Sequence, residues 1–134
     1  MTFDIPDDHR VVRSTATLAR ATTGSGSSKI QIFGTPTMGD TEGQPPLAEL
    51  ILSTGVGSVS AGGIITLVQA TLTGDLIAHD GTAVWGRWLA RDGSLMGDGD
   101  LSDESGTGFF KLAGTSGTQI YAGGLAILGT TYLG

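Results

Sequence analysis

The stretch richest in potential chemistry is an acidic segment, residues 98–104, in which oxygen-bearing side chains recur at alternate positions. Its first, third and fifth positions could supply ligands as in a calcium-binding loop. The sixth position of such a loop is glycine and the twelfth is a bidentate glutamate, but Asp103 and Phe109 stand there. Nor do carboxylates crowded on one loop give the separated pair that a glycosidase needs. The pattern predicts a solvated acidic loop over residues 97–108 and no bound metal.

Motifs for nucleophilic catalysis and phosphate binding are incomplete. No serine has glycine both two residues before and two residues after it, as a nucleophile elbow requires. The two histidines, His9 and His79, are interpreted as surface residues. Residues 34–41 follow a phosphate-binding loop until Asp40 replaces its lysine, and an acid there repels phosphate. The sequence therefore predicts no enzyme, no catalytic residue and no cofactor.

The elements that must position these residues follow from hydrophobic periodicity. Residues 7–20 have a helical pattern with Asp7 or Asp8 as N-cap, which predicts a short helix over 9–20 and an extended arm over 1–8. From residue 29 to residue 134, short apolar runs alternate with turn residues. We expect one mainly β domain over 1–134, an antiparallel sandwich or barrel of jelly-roll or immunoglobulin-like type with about seven to eight strands.

Composition narrows the possible partners. The 134 residues include 23 glycines, no cysteine and only 15% charged residues, with a formal net charge of -6. Sequence-independent binding of nucleic acid needs clustered lysine and arginine, which the chain lacks. No apolar run is long enough for a membrane span, and the acidic first residues do not form a signal peptide. A weakly charged surface of this kind favours contact with other protein.

The strongest predicted strand covers residues 82–91 and contains both tryptophans. Because side chains alternate along a strand, Trp85 and Trp88 face opposite sides. We expect one in the core and the other against a partner subunit. An exposed tryptophan beside Arg87 is also what a carbohydrate-binding module uses to stack a sugar, and this alternative stays open.

Residues 81–94 read Gly-Thr-Ala-Val-Trp-Gly-Arg-Trp-Leu-Ala-Arg-Asp-Gly-Ser, before an acidic glycine-rich segment and an apolar tail rich in threonine and glycine. With the short helix, proline-rich loop and strands before it, the pattern over residues 10–131 resembles small structural proteins from the morphogenesis regions of tailed phages and prophages. Residues 95–101 are richer in glycine than in that family, so a shorter strand is expected there. The resemblance implies a place in a virion assembled in the bacterial cytoplasm.

The leading hypothesis is a capsid decoration or cement protein, a minor capsid component that stabilises the head through protein–protein contacts. The alternatives are a head-completion or tail component forming a ring, a carbohydrate-binding module and, last, a hydrolase. Expected partners are copies of this chain and the major capsid or other virion proteins, with no nucleic acid and no membrane. The candidate contact residues, chosen as apolar or arginine anchors outside the expected core, are Phe3, Ile5, Trp85 and Arg87.

Overall fold

The computed structural model describes residues 4–133. This part of the chain begins with one helix, α1 (Asp7–Ala21), and continues as eleven strands. The strands are β1 (Lys29–Phe33), β2 (Ala48–Val59), β3 (Ile65–Gln69), β4 (Asp75–Leu76), β5 (Gly81–Thr82), β6 (Trp85–Leu89), β7 (Leu95–Asp103), β8 (Phe110–Ala113), β9 (Gln119–Ile120), β10 (Leu125–Leu128) and β11 (Tyr132–Leu133). The predicted mainly β fold with a short N-terminal helix is confirmed, and several two-residue strands raise the strand number above that expected. No helix within residues 4–133 is both long and apolar enough to span a membrane.

Helix α1 begins directly after Pro6, whose carbonyl accepts a bond from the Arg10 backbone N–H at 3.1 Å. No side chain caps this end, so the prediction of Asp7 or Asp8 as N-cap is wrong. Proline itself supplies the extended N-cap backbone, with φ -64° and ψ 156°. Both aspartates lie in the first helical turn, where their charges complement the helix dipole. Residues 7 and 8 of the predicted arm therefore belong to the helix, and residues 1–3 of the arm lie outside the described residues.

The helix packs against the turn between β2 and β3. The Ser14 hydroxyl donates a hydrogen bond to the Gly63 carbonyl. A Cβ on Gly63 would lie 2.4 Å from the Cβ of Arg10, and this residue has φ +81°, so glycine is required at this contact. Leu18 and Ala21 of α1 pack on the core of the sheet.

Nine strands form one curled sheet, a half-barrel, in the order β11-β3-β2-β1-β6-β7-β8-β10-β4. Neighbouring strands are antiparallel except β7 and β8, which are parallel. Just after β4, Ile77 forms an antiparallel bridge with Ala48 of β2, so the end of the sheet returns to its middle. Strands β5 and β9 pair separately. The fold is as expected, with one parallel pair in place of a wholly antiparallel sheet.

The core fills the inside of the curl with buried apolar side chains, among them Ile30, Trp88 and Phe110. The Phe110 ring fits there because two glycines face each other beneath it, Gly86 of β6 and Gly99 of β7. A Cβ on Gly86 would lie 2.8 Å from a ring carbon, and one on Gly99 would lie 3.1 Å from another. The glycines of this strand pair therefore leave the volume that the aromatic ring occupies.

The Gly86→Ala substitution should lower the free energy of unfolding by about 1–3 kcal/mol, the usual cost of overpacking a core. Gly97→Ala is the matched control, since Gly97 faces Trp88 in the same strand pair but a Cβ there would meet no atom within 4 Å. Urea denaturation of both variants measures the difference. Equal unfolding midpoints would show that the Phe110 ring does not depend on Gly86.

Candidate functional site

Trp85 lies on the outer face of β6 and is nevertheless fully buried, with 0% of its surface exposed. The loop between β1 and β2, residues 34–47, folds over it. The Trp85 indole N–H donates to Thr35 Oγ1 at 2.9 Å, and the Thr35 hydroxyl donates to the Asp40 carbonyl at 2.7 Å. Trp88, on the inner face, is 4% exposed. The prediction of one exposed tryptophan is therefore wrong, because this loop covers the ring that was expected to meet a partner.

Arg87 completes a compact cluster on this outer face, here called the arginine cluster, with Phe33, Trp85 and Asp98. Phe33 and Trp85 are directly paired between β1 and β6, and their rings stack at 4.5 Å with an interplanar angle of 19°. The Arg87 guanidinium lies 5.1 Å from the Trp85 ring centre and 5.9 Å from that of Phe33. Cation–aromatic contacts of this kind stabilise the charged form of arginine.

Asp98 of β7 lies opposite Arg87 and binds it through two oxygens. Arg87 Nε donates to Asp98 Oδ1 at 2.8 Å, and Nη2 donates to Oδ2 at 3.3 Å. This hydrogen bonding, together with the charge of the carboxylate, raises the pKa of Arg87. Nη2 also donates to the Gly39 carbonyl at 3.2 Å, which ties the covering loop to the sheet. The arginine cluster thus holds the β1–β2 loop against the sheet, and the Arg87 side chain remains partly exposed.

The two N-terminal candidates are separate from this cluster. Phe3 lies outside the described residues. Ile5 is half-buried and lines a cleft of about 520 Å³ between α1 and β3. Neither Trp85 nor Arg87 lines that cleft. The described candidates therefore do not form one site.

The acidic segment is a strand rather than the predicted loop. Strand β7 extends through Asp103, so the loop expected over residues 97–108 begins only after it. The strand of nine residues also corrects the expectation of a short strand at 95–101. Gly99 on its inner face packs against the aromatic rings of Phe109 and Phe110, while Asp98 points outward to Arg87. Glycine therefore allows these rings to pack on the strand, whereas the sequence pattern predicted a solvated loop.

The polar side chains of β7 hold a tight connection to β8. Asp100 accepts the Phe109 backbone N–H at 2.8 Å, and Ser102 accepts that of Gly108 at 2.9 Å. Asp103 Oδ2 accepts the backbone N–H of Gly117 at 2.7 Å, and Asp103 Oδ1 accepts the hydroxyl of Ser105. These oxygens are therefore engaged with the chain itself. Among residues 4–133, no three histidine, aspartate or glutamate side chains converge as a metal site; the expectation that no metal binds stays a prediction.

A polar pair that the sequence analysis missed lies where β2, β4 and β10 approach each other. Gln69 is 5% exposed; its amide donates to Asp75 Oδ2 at 2.8 Å and accepts the Leu128 N–H at 2.7 Å. Asp75 Oδ2 also accepts the Ile51 N–H at 3.0 Å. In the sequence, this pair is marked only by a glutamine at the end of the apolar run of β3. Such a residue needs internal partners when it is buried.

The sequence analysis also missed a group of exposed apolar side chains near β4 and β10. Leu72 is 79% exposed, Leu76 66%, Tyr121 63% and Leu125 56%. Each stands close to turn residues in the sequence, and the local pattern did not identify them as one exposed surface. Their arrangement is the basis of the functional proposal below.

Comparisons of the chain with protein-family models, with curated proteins and with solved structures return no match.

The Arg87→Met substitution should lower the free energy of unfolding by about 1.5–3 kcal/mol, because it removes charged hydrogen bonds and leaves Asp98 without its partner. The Arg87 and Asp98 side chains are only 24% and 19% exposed. Lys29→Met is the control, since Lys29 forms a more exposed ion pair with Glu49 at 3.4 Å, worth about 0.2–1 kcal/mol. Urea denaturation at constant salt compares the two. Equal losses would mean that the arginine cluster contributes no more than a surface pair.

Acid should destabilise the protein through two aspartates. The Gly117 backbone N–H, followed by the Ser105 hydroxyl, lowers the pKa of Asp103 from 3.8. The hydroxyl and backbone N–H of Ser94 lower the pKa of Asp92. Since both folded-state pKa values lie below the unfolded ones, the stabilisation is complete above the unfolded value and is lost as pH falls through the folded value.

We therefore expect the free energy of unfolding to be constant down to about pH 5 and to fall below it. In Asp103→Asn this acid-induced decline should be shallower, because one of the linked protons no longer binds. Chemical denaturation in a pH series gives both curves. Parallel curves for the variant and the wild type would exclude Asp103 from the acid response.

Proposed function

We propose that the protein is a virion structural component that decorates or cements a capsid by binding other protein. The observation that carries this proposal is a contiguous exposed apolar surface formed by Leu72, Leu76, Tyr121 and Leu125, here called the leucine face. Single exposed leucines are ordinary on soluble proteins, whereas contiguous apolar patches mark interaction sites.

Contiguity follows from strand register and turn packing. Leu76 and Leu125 are directly opposite each other in the antiparallel pair β4–β10, so their side chains share one face. Gly74 follows Leu72 in the turn before β4, and a Cβ on it would lie 3.0 Å from the Leu125 Cβ. Tyr121 and Leu125 line the same shallow depression of about 160 Å³. Leu76, Leu125 and Tyr121 therefore form one patch, and the turn that carries Leu72 packs beside it.

A patch of four side chains is small for a stable one-to-one complex, which buries about 800 Å² on each partner. A capsid offers many copies of the same surface, and a decorating protein that contacts several subunits at once gains avidity from modest contacts. The resemblance of residues 81–94 to phage structural proteins supports the same conclusion. A ring at the head-to-tail junction or in the tail is the second location that this mechanism would serve.

The structure gives no support to the carbohydrate-binding alternative, because neither tryptophan is exposed. That alternative depended on an exposed tryptophan beside Arg87, and the covering loop buries Trp85 completely. We therefore propose protein, and not glycan, as the ligand.

Particles purified from the phage or lysogen that encodes this chain should contain it, and a gold-labelled antibody should bind their heads. Particles from a strain lacking the gene are the control. Labelling confined to the neck or tail would favour the ring location over decoration. Absence of the chain from particles by gel and mass spectrometry would contradict the virion proposal.

A further inference from the structure

We propose that the leucine face docks on a protein surface that has an apolar centre and a basic rim. This inference rests on the proposed function and deepens it, because it names the face that binds and the chemistry of the partner. Two features support it: no charged residue lines the depression beside Tyr121 and Leu125, and acidic residues, among them Glu49 and Asp75 beside Leu76, lie around the face.

The end of the face that carries Tyr121 and Leu125 is apolar and slightly concave. Apart from the Thr115 and Gln119 side chains, the depression beside Tyr121 and Leu125 is lined by glycine and apolar residues. No charged residue among those described lines it. A concave apolar centre can accept a protruding apolar side chain, which is how the most important contacts of protein interfaces are made.

Acidic residues hold the loops at the border of the face. Asp80 Oδ1 accepts the backbone N–H of Ala122, the neighbour of Tyr121, at 2.6 Å. Asp103 Oδ2 accepts the N–H of Gly117, in the loop that carries Thr115, at 2.7 Å. Both bonds are accepted by carboxyl oxygens. The border of the face therefore has negative groups on two sides.

The charge balance of the C-terminal part of the sequence agrees with this local picture. Residues 92–134 contain five acidic residues and one basic residue. Asp92 and Asp98 pair with Arg20 and Arg87, which leaves Asp100, Asp103 and Glu104 without an arginine or lysine ion pair among the described residues. The basic residue, Lys111, donates from Nζ to the Gly106 carbonyl of its own chain. A second copy of this acidic chain would bring like charges to the border, whereas a basic rim would complement it. The partner is therefore a different protein.

The test is rebinding of purified chain to particles from which the native copy has been stripped. Leu76→Glu and Leu76→Lys both remove an apolar contact, and Val12→Glu and Val12→Lys on α1 are the matched controls, since Val12 is also 66% exposed. We expect both Leu76 variants to bind at least about tenfold more weakly than wild type, with lysine the weaker, and the Val12 variants to bind normally. Raising sodium chloride from about 50 mM to about 500 mM should weaken wild-type binding.

Thermal melting of each variant checks that it is folded, and Leu72→Lys in the exposed turn replaces any Leu76 variant that is not. Normal binding by the Leu76 variants would overturn the docking face while leaving the virion proposal intact. Weaker binding of Leu76→Glu than of Leu76→Lys, or binding strengthened by salt, would overturn the basic rim. Self-association of the isolated chain that Leu76→Lys abolishes would make a second copy the partner and overturn the inference. Wild-type chain that neither occurs in particles nor rebinds them would overturn the proposed function, and the inference with it.

Discussion

The curled sheet depends on carboxylates that accept backbone N–H groups where neighbouring strands no longer pair. Asp75 accepts the N–H of Ile51 between β4 and β2 at 3.0 Å, and Glu104 accepts that of Thr130 ahead of β11 at 2.7 Å. The bond to Ile51 is part-buried, and a buried N–H left without a partner costs about 1–3 kcal/mol, whereas the bond to Thr130 is exposed and contributes less. Acidic residues at such points therefore do more for the fold than their number on the surface would suggest.

The parallel pair β7–β8 also depends on side chains that accept backbone N–H groups. Parallel neighbours usually need a connection of a dozen residues or more, whereas only residues 104–109 lie between these two strands. The short connection is possible because side chains of β7 accept the N–H groups of Gly108 and Phe109, and because Gly108 has no Cβ. A Cβ there would lie 2.5 Å from the Ser102 backbone nitrogen.

Local patterns were enough to predict the mainly β class, the helix and the strand around Trp88, because each depends on periodicity within one segment. The burial of Trp85 could not be predicted, since it depends on a hydrogen bond to Thr35, fifty positions away in sequence. The length of strand β7 was underestimated because Gly99 on its inner face has no apolar side chain, and the Phe110 ring that fills this volume belongs to β8. The leucine face was missed because strand pairing, not sequence spacing, brings Leu76 beside Leu125.

These constraints connect the stability of the fold to the proposed binding face. Asp80 and Asp103 fix the loops next to the leucine face, and the same two carboxylates give its border a negative charge. A neutral acceptor such as asparagine could satisfy the same N–H groups but would supply no charge. Carboxylates at these positions therefore serve both the loops and the proposed selection of a basic partner. The pair Leu76 and Leu125 at the end of the sheet needs no such support, because strand pairing holds the two residues side by side.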